Sequence, residues 1–176
     1  MEIEKKYLVK RIPFDMEQFQ FHVIEQGYLN IYPAIRVRRE DNIYYMTYKG
    51  DKIAEDDNSI GRVEYNLMLD KSSYEHMLLK ADGNIIRKKR YLIPINEDAF
   101  PEDFIKKRPE IEQKIRAGEV KIELDVFDEP FKGRIIAEVE FPNEEAAQRY
   151  NKAGWFDEEV TGDKRYSNAN MSTEKI

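Results

Sequence analysis

The sequence carries charged residues in pairs separated by one residue, a spacing that would bring their chemistry to one surface. Because side chains alternate between the two faces of a strand, both members of a pair face the same way, about 6.6 Å apart. Three pairs are acidic, namely Glu2 and Glu4, Glu123 and Asp125, and Glu138 and Glu140. The basic and mixed positions are Lys6, Arg36, Arg38, Lys49, Arg62, Glu64, Lys88 and Arg90. Seven predicted strands therefore carry one charged face and one largely apolar face.

This pattern has two interpretations. In an ordinary antiparallel sheet the apolar face would cover a core and the charged face would meet water. In an inside-out barrel the charged faces would line the interior, and the apolar faces would pack against outer helices. Like charges grouped on single strands favour the barrel, because a solvated face would more often mix Lys, Glu, Thr and Ser. A barrel of about eight strands has room for one small ligand, and the pattern alone leaves both interpretations open.

The two sets of charges suit a ligand that needs both cations and a divalent metal. Carboxylates are hard oxygen ligands for Mg²⁺ or Mn²⁺, which take them together with water and substrate phosphates. Arginine contacts oxyanions through two parallel hydrogen bonds. A nucleotide or an inorganic polyphosphate is the simplest ligand of this kind. For its hydrolysis, a metal-bound water of lowered pKa would be the nucleophile.

Composition limits the classes of protein that fit. The 176 residues suit a single domain over 1–176. The net charge is only −6, because 29 basic residues nearly balance 35 acidic ones, so the basic surplus of a nucleic-acid binder is missing. No cysteine is present, which excludes disulfides and thiolate metal sites. Without a signal peptide or a transmembrane run, we expect a soluble cytoplasmic protein that does not bind membranes.

Local signals predict more strands than helices. The predicted strands are 2–9, 28–31, 34–40, 43–49, 61–69, 85–95, 119–127 and 134–141, and 51–61 is predicted as a loop. Helices are predicted over 15–26 with Asp15 as N-cap, from Ser72 or Ser73 to 81, within a charged excursion over 96–118, after Pro142-Asn143, and in a short C-terminal segment. His22 and His76 fall in helical patterns. Short turns between strands predict an α+β, mainly β fold, an eight-stranded antiparallel sheet closed or nearly closed on itself, with helices outside.

These motifs, in this order, resemble those of the triphosphate tunnel metalloenzymes, also called CYTH domains. The first strand is similar to their E-x-E-x-K signature, and the chain also carries R-V-R, Y-K-G, R-x-E and K-x-R-Y segments in sequence. The two acidic strands and the C-terminal segment over 159–168 resemble those of the short bacterial members, and the resemblance covers nearly the whole chain. It implies a closed eight-stranded barrel, the triphosphate tunnel, with a charged interior that binds a triphosphate and Mg²⁺ or Mn²⁺.

The resemblance also implies roles for individual residues. The metal ligands would be Glu2, Glu4, Glu123, Asp125, Glu138 and Glu140, with Glu64 in support. Phosphate would contact Lys6, Arg36, Arg38, Lys49, Arg62, Lys88, Arg90 and Arg165. The catalytic group would be Glu4, Lys6, Tyr28 and Lys88, although Tyr28 fits equally well as a core aromatic. The excursion over 96–118 is longer than usual in the family, and we expect a solvated surface insertion there rather than a lid or partner site.

Several functions fit this resemblance. The leading hypothesis is metal-dependent hydrolysis of inorganic tripolyphosphate. Two other enzymatic functions fit, those of a class IV type adenylate cyclase and a thiamine triphosphatase. The cyclase would need an adenine pocket, and the sequence contains no distinct motif for reading a base. A polyphosphate-binding module without turnover is the fourth, but binding alone would not need so many carboxylates. The expected partner is a small-molecule triphosphate, and a homodimer is left open.

Overall fold

The computed structural model describes residues 3–51 and 62–176. Within these residues the chain forms eight strands and five α-helices. The strands are β1 (Ile3–Leu8), β2 (Phe21–Asn30), β3 (Ala34–Glu40), β4 (Ile43–Asp51), β5 (Arg62–Leu69), β6 (Asp82–Pro94), β7 (Lys121–Phe127) and β8 (Ile135–Phe141). The helices are α1 (Lys71–Leu78), α2 (Glu102–Lys107), α3 (Pro109–Arg116), α4 (Glu144–Arg149) and α5 (Asn168–Ser172). The loop predicted over 51–61 lies almost wholly outside the described residues.

All eight strands belong to one antiparallel sheet with the order β1-β8-β7-β6-β2-β3-β4-β5. Five strands separate β1 from β4 in the sheet, yet Lys6 on β1 and Lys49 on β4 line one cavity. The sheet must therefore curve strongly. Over the residues that the structure describes, no backbone hydrogen bonds join β1 to β5. The eight strands and their antiparallel pairing are thus confirmed, whereas a barrel closed by hydrogen bonds is not.

The main hydrophobic core lies on the convex side of the sheet, under the helices. Leu124, Ala137 and Val139 point outward from β7 and β8 and are completely buried. Ala146 of α4 is equally buried against the same cluster. The apolar faces of the strands therefore pack outward against helices, as the inside-out interpretation predicts.

The charged excursion over 96–118 contributes to this core. Its helices α2 and α3 bury Phe104 and Ile111, and the turn before α2 buries Phe100. The expectation of a solvated surface insertion was therefore wrong for the side of the excursion that packs on the sheet. The charged residues are exposed, but the apolar ones at helical spacing cover the convex face of the sheet.

The helix predicted over 15–26 was also wrong. Asp15 is an N-cap, but only of the 3₁₀ turn Met16–Gln18, where its side chain accepts a hydrogen bond from the Glu17 amide. The rest of the segment forms β2, which pairs with β3 on one side and β6 on the other. The apolar residues there are aromatic or β-branched and suit a strand equally well, and two neighbouring strands decide the outcome. His22 consequently lies in a strand, whereas His76 is helical as predicted.

Smaller differences concern helix boundaries. Helix α1 begins after Asp70, whose carboxylate accepts a hydrogen bond from the Ser73 amide at 2.7 Å, so neither Ser72 nor Ser73 is the cap. The helix predicted after Pro142-Asn143 is confirmed as α4, with Asn143 as its N-cap, and the excursion contains short helices as predicted. None of the helices in the described part of the chain is long and apolar enough to cross a membrane.

Candidate active site

The charged side chains that the strand pattern predicted share the concave side of the sheet. They contact one another across neighbouring strands, as Lys6 of β1 does with Glu138 of β8 at 2.9 Å. The neutral side chains of Thr47 on β4 and Asn66 on β5 also lie on this side and form a hydrogen bond of 2.7 Å. The arrangement follows from the register, which sets these residues beside each other on adjacent strands. We call this surface, formed by the inward residues of all eight strands, the charged face.

Arg90 is the centre of an ionic network on the charged face. Its Nε and Nη2 donate to the two oxygens of Asp125, each at 2.7 Å, and Nη2 also donates to Glu138 at 2.7 Å. Nη1 donates to Glu123. Burial alone would lower the pKa of Arg90, but Asp125 and Glu138 outweigh it and raise that pKa. Three carboxylates from two strands are therefore held together by one guanidinium.

Lys6 and Lys88 are also paired with carboxylates. Burial opposes the charge of Lys6, yet Glu138 and then Glu4, at 3.1 Å, raise its pKa. Lys88 is fully buried, and its ammonium group donates to Asp125. Burial, together with the positive charge of Arg90, lowers the pKa of Lys88 to about 8 in spite of Asp125.

Arg36 and Arg38 form no ion pair with any described carboxylate. Arg38 is 8% exposed, and within the described part of the chain its guanidinium donates hydrogen bonds only to the neutral groups of Gln26, at 2.8 Å, and Tyr45, at 3.3 Å. Burial, with Arg36 and Arg90 nearby, lowers the pKa of Arg38. The Nε of Arg36 is buried without a hydrogen-bond partner within the described ranges. A buried and a half-buried cation side by side, with no described carboxylate to compensate them, are costly unless an anion joins them.

Two cavities open on the charged face. The first, of about 560 Å³, is lined by Lys6, Arg36, Lys49 and Lys164 together with Glu4, Tyr28 and Thr47, and we call it the basic cavity. The second, of about 380 Å³, is lined mainly by carboxylates and is called the acidic cavity: Glu4, Glu40, Glu123, Glu138 and Glu140 surround Arg90, His22 and Lys121. Glu4 lines both cavities, so the basic and the acidic cavity meet at this residue.

The carboxylates have the chemistry of a magnesium or manganese site but do not form a ready cage. Among the described residues, no three acidic or histidine side chains converge on one point closely enough to hold an ion. Mg²⁺ is commonly bound through one or two carboxylates, with waters and substrate phosphates completing its shell. The acidic cavity beside Glu4 fits a metal that arrives with a phosphate ligand, and it does not fit one held by protein alone.

The structure brings most of the predicted site residues to this surface. On the charged face lie Glu4, Lys6, Tyr28, Arg36, Arg38, Lys49, Glu64, Lys88, Arg90, Glu123, Asp125, Glu138 and Glu140. Glu2 and the side chain of Arg62 fall outside the described residues. Arg165 is 77% exposed and bonds to Asp163 at 2.6 Å, and its neighbour Lys164 reaches the basic cavity instead. Contact of Arg165 with phosphate stays a prediction.

Sequence reasoning missed several polar residues of the charged face. Gln26, Tyr45 and Asn66 carry no charge and therefore do not show in a pattern of paired charges. Gln26 does lie two residues before Tyr28, the spacing of one strand face, but the predicted helix over 15–26 concealed it. Ser167 and Asn168, which line the basic cavity, belong to the C-terminal segment of the family resemblance, but the strand pattern of paired charges did not assign them to the site.

Comparison with known proteins gives relatives along nearly the whole chain. An inorganic triphosphatase of Nitrosomonas europaea is 31% identical over 173 residues, which covers 95% of this chain and 93% of the relative. The chain belongs to the triphosphate tunnel metalloenzyme family. A second relative, an inorganic triphosphatase of Acetivibrio thermocellus, is 29% identical over 175 residues, and the alignment covers 97% of this chain and 92% of the relative.

The fold agrees with a solved triphosphate tunnel metalloenzyme. A crystal structure described as an inorganic triphosphatase superposes with a TM-score of 0.64 at 28% identity, covering 99% of this chain and 96% of that one. No family model matches the chain. The family resemblance drawn from the strand motifs is therefore confirmed by full-length relatives and by the fold.

Proposed function

We propose that this protein hydrolyses inorganic tripolyphosphate with the help of Mg²⁺ or Mn²⁺. The observation that carries the proposal is a pair of guanidinium groups on β3, Arg36 and Arg38, which no described carboxylate compensates, with Arg36 lining a basic cavity large enough for a triphosphate. The names of the two curated relatives support the same substrate.

The basic cavity is the proposed phosphate site. Arg36 and Arg38 offer free guanidinium donors, which bind phosphate oxygens with charge-assisted hydrogen bonds. Two further cations line the same cavity, Lys49 from β4, which pairs with β3, and Lys6 from β1, which lies at the far edge of the sheet. Tyr28 also lines the cavity and is 3% exposed, so its hydroxyl is placed to position the chain of phosphates. In phosphoryl transfer such positioning and charge neutralisation supply most of the rate enhancement.

The acidic cavity is the proposed metal side. Glu4, which lines both cavities, would hold the metal where it meets the phosphates, with Glu138 and Glu140 beside it and Glu123 and Asp125 behind. When bound, the divalent ion supplies a Lewis acid that lowers the pKa of an attacking water. Arg90 and then Lys6 hold the pKa of Glu138 well below its usual range despite burial, so that this carboxylate stays ionised. Lys88 would add a positive charge beside Asp125.

A panel assay tests the proposal. The protein would be incubated with tripolyphosphate, ATP or thiamine triphosphate and Mg²⁺ or Mn²⁺, and phosphate and cyclic AMP would be measured together. We expect phosphate release from tripolyphosphate that stops on addition of EDTA. Cyclic AMP formed from ATP would favour the cyclase instead, and binding of tripolyphosphate without release under either metal would favour the binding module.

A further inference from the structure

Gln26 is a neutral residue at the middle of the charged face. It is completely buried on β2, on the same side as Ile24 and Tyr28, which are 1% and 3% exposed. A buried amide needs hydrogen-bond partners, and those of Gln26 are Tyr28, which lines the basic cavity, and Arg38, which lies two residues along β3 from the cavity residue Arg36. Its Oε1 accepts from Nε of Arg38 at 2.8 Å, and its Nε2 faces the Tyr28 hydroxyl at 3.4 Å.

The opposite side of Arg38 is also held by a neutral group. Nη1 of Arg38 donates to the Tyr45 hydroxyl at 3.3 Å, and that hydroxyl donates to Glu40 at 3.0 Å. The guanidinium is therefore fixed from two sides without a carboxylate touching it in the described part of the chain. Arg90 lies on β6, which β2 separates from the β3 strand of Arg38, and its environment differs: three carboxylates fix it and neutralise its charge.

We propose that Gln26 is a positioning residue that orients Arg38 toward the triphosphate while leaving its positive charge available. An arginine held by an acid is already satisfied, so an incoming phosphate must displace that acid. An arginine held by neutral oxygens keeps its full charge, and Arg38 keeps three of its five N–H groups, one on Nη1 and two on Nη2, for phosphate. This inference rests on the proposed function, because it assigns the basic cavity to a triphosphate.

The substitution Gln26→Glu tests the inference with almost no change of shape. It places a carboxylate where the amide oxygen contacts Arg38, and the new ion pair neutralises the guanidinium. We expect the melting temperature of the free protein to stay the same or to rise. The dissociation constant of tripolyphosphate, measured by calorimetry in EDTA so that no turnover occurs, should rise about tenfold or more. In steady-state assays KM should rise by a larger factor than kcat falls.

Two controls separate this role from a general one. Gln148→Glu makes the same charge change at an exposed position of α4, away from the cavities, and should leave binding unchanged. If Gln26 acts through Arg38, then Gln26→Glu should weaken binding far less in an Arg38→Met background than in the unmodified protein, since the two changes remove one interaction.

The outcomes are distinct. Weaker binding with an undiminished melting temperature supports the inference. Unchanged binding in Gln26→Glu overturns it, and so does a loss of binding that runs parallel with a loss of stability, since that would show a merely structural residue. If the unmodified protein does not bind tripolyphosphate at all, the proposed function is wrong, and this inference is wrong with it.

Discussion

Replacing the two buried arginines of the charged face by methionine should have opposite consequences. Methionine keeps much of the length and volume of arginine but removes its charge and donors. In Arg90→Met the carboxylates of Glu123, Asp125 and Glu138 lose their shared partner while they stay buried or half-buried. Breaking a buried ion pair from one side costs about 3–5 kcal/mol. For a chain of this size that lowers the melting temperature by about 10 °C.

Arg38→Met removes a cation that no described carboxylate compensates. The loss of its hydrogen bonds to Gln26 and Tyr45 costs about 1 kcal/mol each. The relief of its burial and of its repulsion with Arg36 and Arg90 offsets that loss, so stability should change by only about 1 kcal/mol in either direction. Binding is different, because a two-point contact with phosphate is lost. At about 3 kcal/mol, that raises the dissociation constant of tripolyphosphate about a hundredfold.

Thermal denaturation of both variants and calorimetric titration with tripolyphosphate in EDTA provide the comparison. The unmodified protein supplies the reference in both experiments. An Arg38→Met protein that melts as early as Arg90→Met would show that Arg38 is a structural group. An Arg38→Met protein that binds tripolyphosphate with unchanged affinity would remove Arg38 from the phosphate site.

Three further changes test other parts of the structure. Glu4→Gln should abolish phosphate release with Mg²⁺ or Mn²⁺ but leave tripolyphosphate binding in EDTA intact, and a variant with full turnover would refute the metal assignment. Ile111→Ala should lower the free energy of unfolding in urea by about 2–5 kcal/mol, because α3 covers the convex core; a change well under 1 kcal/mol would show that the excursion is dispensable. Gly83→Ala should release the C-terminal segment, since Gly83 has φ +71° and a methyl group there would collide with the Ser172 carbonyl, and limited proteolysis should then cut the segment faster than in the unmodified protein.

The alternation of charged and apolar residues was sufficient to predict which side chains share a strand face. It holds because the two-residue period is a property of the extended backbone itself. Arg36 and Arg38 on β3, and Glu138 and Glu140 on β8, could be grouped correctly without any tertiary information. Segment 15–26 shows the limit of such local signals. Its aromatic and β-branched residues suit either a helix or a strand, and only the pairing of β2 with β3 and β6 decides between them.

The sequence by itself therefore determined the charge pattern, the family and most of the residues of the charged face. Only the tertiary structure decided which cations are already neutralised. Arg90 meets Asp125 because β6 and β7 pair in that register, and Arg38 meets Gln26 because β2 and β3 pair in theirs. These partners lie 35 and 12 residues apart in the chain. Strand order and the curvature of the sheet, which local propensity does not encode, set the electrostatics of the site.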